Sequence, residues 1–91
     1  MELRWTSKAL SDLTRLHEFL ATVNKSTAAR AAQALTTACA SLTANPRIGE
    51  RLEEFEPREI RRILVGRYEV RYEIKESTIY ILRLWHTHEE R

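Results

Sequence analysis

The sequence predicts an α+β domain, with an antiparallel helical hairpin packed on a mainly antiparallel sheet of about four strands, in the order β-α-α-β-β-β. Three observations carry that prediction. An alanine- and leucine-rich stretch running to Asn45-Pro46 repeats apolar residues at spacings of three and four. From Tyr68 to Lys75, apolar and charged residues alternate at every position. The chain has 91 residues, room for one domain (residues 1–91) around one core.

Each element has its own justification. Leu3 and Trp5 alternate with polar neighbours, a short first strand. Thr6 or Ser7 then suits the N-cap of a helix. Leu10, Leu13, Leu16, Leu20 and Val23 form one helical stripe, the expected packing face. Asn24-Lys25-Ser26 interrupts it, and Ser26 or Thr27 can cap a second helix over roughly 27–44. That helix holds eight alanines between Ala28 and Ala44, which favour helix and permit close approach. Asn45-Pro46 stops it, because a residue before proline avoids the α region.

Residues 47–58 read as a charged connection holding Gly49 and Pro57. Strands follow at Ile60–Val65, Tyr68–Ile74 and Ile79–Trp85, with turns at Gly66 and Glu76-Ser77. That register sets Ile74 opposite Ile79, Tyr72 opposite Ile81 and Val70 opposite Arg83. Arg83 and Trp85 then share a face with Tyr68, Val70 and Tyr72. An arginine closing an apolar stripe snorkels to the rim, pairs with an acidic neighbour, or faces a ligand or partner.

Composition narrows the function. Fifteen Lys+Arg against thirteen Asp+Glu leave +2, too little by itself to predict nucleic-acid binding. The one cysteine, Cys39, can form neither an internal disulfide nor a zinc set. No apolar run approaches the ~20 residues of a membrane span, and Met1 to Trp5 does not open a signal peptide. A cytoplasmic protein is expected.

No nucleophile–base–acid set stands out, and no cofactor is expected. His17 reads as a surface or boundary residue. His86 and His88 lack a third ligand, so no metal is expected, though His86 could serve as a general acid or base. Arginine is the stronger signal. Arg58, Arg61, Arg62, Arg67 and Arg71 crowd a short segment, while the whole chain has three lysines. Part of this is cross-strand charge pairing; the remainder suits an anionic or acidic partner.

Several segments together resemble the RelE/ParE toxin superfamily of type II toxin–antitoxin systems. They are Trp5-Thr6-Ser7-Lys8-Ala9 with Asp12-Leu13, Asn45-Pro46 with Gly49, and Ile60-Arg61-Arg62-Ile63. Gly66-Arg67-Tyr68, Val70-Arg71-Tyr72-Glu73-Ile74 and Ile79 through His86 continue the match in order across nearly the whole chain. The resemblance implies a helical hairpin on an antiparallel sheet and a cognate antitoxin in a dimer or tetramer. It also implies one of two activities.

RelE-like members cut messenger RNA in the ribosomal A site, and that reading would use Arg62, Arg83 and His86. ParE-like members poison DNA gyrase without a known hydrolytic site. Glu69 stands where the ribonuclease branch carries an arginine, and Leu84 where it often carries another. Both departures favour the ParE branch, with gyrase as target, no catalytic residues and no specific DNA binding by the toxin alone. Its tail typically resembles Leu82 to His86 followed by an arginine-containing end. The expected target- or antitoxin-binding residues are Arg58, Arg61, Arg62, Arg67, Arg71, Arg83, Trp85 and His86.

Overall fold

The structure, a computed structural model, describes residues 1–88. The elements are β1 (Glu2–Trp5), α1 (Ser7–Ala21), α2 (Lys25–Ser41), β2 (Glu50–Arg51), β3 (Glu59–Val65), β4 (Tyr68–Lys75) and β5 (Thr78–His86). None of the described helices is long and apolar enough to cross a membrane.

Thr6 starts α1: its Oγ1 accepts the Ala9 N–H at 3.2 Å and donates to the Ile81 carbonyl at 2.8 Å. One side chain therefore caps the helix and ties it to β5. The leucine stripe is only partly the buried face. Ala9 and Asp12 are buried and Leu13, Leu16 and Leu20 half-buried, but Leu10 and Val23 are 51% and 81% exposed. Helix α2 is capped by Asn24, earlier than Ser26 or Thr27, because the Asn24 side-chain Oδ1 accepts the Thr27 N–H at 3.0 Å. It also ends before residue 44. From Thr43 to Asn45 each N–H bonds three residues back, a tighter turn that closes the helix despite good alanine propensity.

The sheet has five strands rather than about four, ordered β1-β5-β4-β3-β2; β1 is parallel to β5 and every other pair is antiparallel. The additional strand, β2, consists of two exposed charged residues and carries no periodic signal. Gly49 leads into it. Its N–H donates to Tyr72 Oη at 3.0 Å, and a Cβ there would stand 2.6 Å from both that oxygen and the Arg62 carbonyl. Two-residue turns close both hairpins, with positive φ at Gly66 (61°) and Glu76 (57°).

The core lies between the helices and one sheet face, built on Leu35, Cys39 and Leu42 against Val70, Tyr72, Ile79, Ile81 and Leu84. Burial pushes the Cys39 thiol up to about 12, so it stays protonated and inert. Past Tyr72↔Ile81 the β4–β5 register slips: Arg71 opposes Arg83 and Val70 opposes Leu84. This corrects the expected Val70–Arg83 pairing. A bulge leaves Leu82 without an opposite residue, so Leu84 turns into the core. Arg83 and Trp85 consequently leave the face of Tyr68, Val70 and Tyr72. Burying a leucine instead of an arginine decides the register.

Candidate functional site

The bulge builds a row of arginines. Arg62, Arg71 and Arg83 stand opposite one another on three adjacent strands, on the sheet face turned away from the core. The next row is Leu64, Glu69 and Trp85. Like charges in register repel, so the row needs counter-charges. Glu69, only 4% exposed, accepts from Arg71 Nε at 3.1 Å and Arg62 Nη1 at 3.5 Å. Arg62 Nε also donates to Glu50 at 2.8 Å. The Arg71 guanidinium lies 4.8 Å from the ring centre of Trp85 and 5.7 Å from that of Phe55. Those rings stabilise a cation where water is scarce.

Arg83 has a different counter-charge. Beyond β1, helix α1 runs along the edge of β5 and satisfies its outward backbone groups. Thr6 Oγ1 reaches the Leu82 carbonyl at 3.1 Å, and Asp12 Oδ2 accepts the Leu84 N–H at 3.0 Å. The same carboxylate takes Arg83 Nε at 2.8 Å and Nη2 at 3.2 Å, with Arg15 at 3.3 Å. Burial pushes the Asp12 carboxyl up, but hydrogen bonds from Arg83 and Leu84 outweigh that and leave it below its ordinary value. Arg83 thus has the acidic neighbour that was one of the sequence alternatives.

The remaining candidates are dispersed. Arg58 clasps Glu73 with two hydrogen bonds, at 3.0 and 2.9 Å, which holds the Glu73 carboxyl below its usual range. Arg61 shares the Tyr72 side of the sheet and is a brace: it donates to Glu59 at 2.9 Å and to the Gly49 carbonyl at 2.7 Å. Arg67, in the exposed β3–β4 turn, makes no ion pair among the described residues. His86 opposes Tyr68 on the core side, its ring edge-on to that tyrosine at 5.4 Å. Its Nδ1 accepts the His88 N–H at 3.1 Å, and both histidines line an apolar groove of about 550 Å³ against α1.

Arg62 and Arg83 therefore lie on one face and His86 on the other. Three residues meant to activate, stabilise and protonate at one phosphate do not converge here. Trp85 is buried beneath Arg71 and supports it. Asp12 and Phe55 complete the site without having been singled out for it. A lone acid on the helix's leucine-rich side, at Asp12, was the available signal; Phe55 gave none. The arginine-containing end beyond His88 lies outside the described residues.

Comparison with known proteins matches this chain to a family. Residues 3–91 fit the profile described as "ParE toxin of type II toxin-antitoxin system, parDE". The chain belongs to the ParE toxin family. A relative named Toxin RelE2, from Caulobacter vibrioides, is 34% identical over 82 residues, covering 90% of each chain. A solved structure of the chromosomal ParDE toxin–antitoxin system from P. aeruginosa superposes with a TM-score of 0.78 at 22% identity, over 94% of this chain and 95% of that one. That likeness shows a shared fold. The protein is accordingly a toxin of a type II toxin–antitoxin system within the ParE/RelE superfamily.

Proposed function

We propose that this ParE-family toxin acts by binding DNA gyrase and stabilising its cleaved-DNA state, and that a cognate antitoxin silences it in the cytoplasm. Such a pair would serve plasmid stabilisation. One observation carries the choice of target: Arg62, Arg83 and His86 do not share a face, so the histidine expected to act as general acid or base does not stand beside the arginine row. Ordered, partly exposed guanidinium forks above buried carboxylates suit recognition of an acidic protein surface. Arg58, Arg62 and Arg83 keep about half of their side chains in solvent while anchored, so little conformational entropy is lost on docking.

The test is purified toxin added to gyrase and relaxed plasmid. The expected results are blocked supercoiling and trapped cleaved DNA. Full supercoiling at excess toxin overturns the reading.

The competing reading is ribosome-dependent messenger cleavage, which the row Arg62–Arg71–Arg83 favours because arginine forks match phosphate. His86→Ala separates the two. Unchanged toxicity at unchanged folding supports gyrase binding, whereas A-site cuts lost with this variant support a ribonuclease.

A further inference from the structure

Strand β1 is the outermost strand on its side of the sheet. Its ladder to β5 uses alternate residues: Glu2 N–H donates to the Ser77 carbonyl at 2.9 Å and Thr6 N–H to the Ile81 carbonyl at 3.1 Å. Arg4 lies between them in the same phase. Leu3 and Trp5 therefore aim their N–H and C=O groups off the open edge, and no hydrogen bond from another described residue reaches them. Side chains alternate too. Leu3 and Trp5 are half-buried against the core, while Glu2 and Arg4 bond each other at 3.1 Å with 63% of each side chain exposed.

We propose that this edge docks against the same edge of a second copy of the chain. The two β1 strands run antiparallel about a two-fold axis at Leu3, making one continuous sheet through both protomers. In this register Leu3 exchanges both backbone hydrogen bonds with Leu3 of the partner subunit. Glu2 faces the partner's Arg4, and Arg4 faces the partner's Glu2. Each charge trades a neighbour two residues away for one directly opposite, at the closer, non-hydrogen-bonded position. Leu3 meets its counterpart on the core side.

Other registers lose these matches. Moving the axis to Arg4 sets two arginines opposite each other, and moving it to Glu2 sets two glutamates opposite. A slip of one residue turns the wrong side chains inward. Short, charged edge strands ordinarily discourage sheet-to-sheet pairing. Here the charges have opposite sign and symmetric spacing, so they select one pairing. The contact is one short strand, well under the ~1,600 Å² of a standard interface, which makes the dimer reversible and concentration-dependent.

Sedimentation equilibrium of the full chain across a concentration series tests this. The wild type should show a reversible monomer–dimer equilibrium. Arg4→Glu places two acidic pairs face to face and should weaken the dimer about tenfold, and Glu2→Arg should do the same. The double exchange, Glu2→Arg with Arg4→Glu, should restore it. Leu3→Pro removes a donor that β5 does not use, so it should keep the wild-type circular dichroism and abolish the dimer. If that variant fails to fold, the charge exchange still decides. A chain monomeric at every concentration overturns the proposal, and so does a dimer whose affinity Arg4→Glu leaves unchanged.

Discussion

Asp12 holds Arg83 through two hydrogen bonds, at 2.8 and 3.2 Å, joining the first helix to the last strand across most of the chain. Because the same carboxylate accepts the buried Leu84 N–H, its loss leaves a buried donor unmet and also removes two hydrogen bonds from Arg83. Asp12→Ala should cost about 2–4 kcal/mol by urea unfolding. Asp12→Asn, which retains an acceptor, should cost roughly half as much. Equal stability for the alanine variant and the wild type would show that the contact is dispensable.

Three carboxylates give this toxin an acid limit. Asp12 lies below its ordinary 3.8, and Glu59 and Glu73 below their ordinary 4.5. For Glu59, burial pushes upward and the hydrogen bonds from Arg47 and Arg61 outweigh it. Groups depressed on folding contribute fully above their unfolded values, and that contribution is lost as pH falls through the folded ones. The urea midpoint should therefore be nearly flat from about pH 7 to 5 and fall below about pH 4. Asp12→Asn should flatten the acid side of that curve.

Tyr72 pins the loop before β2. Its hydroxyl donates to the Pro46 carbonyl at 2.7 Å and accepts from Gly49 at 3.0 Å, inside a fully buried site. Tyr72→Phe should lose about 1–2 kcal/mol. Gly49→Ala should lose more, since its Cβ meets the Arg62 backbone oxygen at 2.6 Å. Combining the two should relieve only the hydroxyl clash and leave Gly49→Ala still destabilising. Thermal unfolding of all three variants measures that coupling.

Glu76 sits at φ 57° with no side-chain partner among the described residues, whereas its counterpart in the other hairpin is Gly66. Glu76→Gly should raise stability by about 0.5–1 kcal/mol, read as a higher melting temperature. Gly66→Ala should lower it by a similar amount, although there is open space around that position.

Arg67 separates binding from folding. With no ion pair among the described residues, Arg67→Ala should move the urea midpoint by less than about 0.5 kcal/mol. On the proposed gyrase target, weaker inhibition by this variant without loss of stability would place the β3–β4 turn on the target surface. Unchanged inhibition would remove it from that surface.

Much of this toxin was legible in its sequence, because β4 alternates strictly and Thr6 is an efficient cap. Both are local signals. What stayed hidden was non-local. The leucine stripe of α1 did not show that Asp12 would be buried, since its partners, Arg83 and Leu84, lie in the last strand. Glu50-Arg51 forms a strand only because β3 is beside it. The arginine-rich segment was visible, but its division between a row on one face, a brace at Arg61 and a clasp at Arg58 depended on a register that a single bulge changed.

That bulge inverts the parity of the last strand. Before Leu82 the odd-numbered residues Ile79 and Ile81 face the core; after it the even-numbered Leu84 and His86 do. A tolerance profile along β5 should therefore skip a beat at Leu82, with two neighbouring positions permissive where strict alternation would allow one. Drawing the strand straight with Leu82 retained and paired would swing the Arg83 guanidinium inward in place of an interior leucine. Deleting Leu82 would instead restore an unbroken rhythm and leave Arg83 and Leu84 on their present faces. Setting that one extra residue aside as a bulge is what keeps the charged and greasy sides of this strand apart.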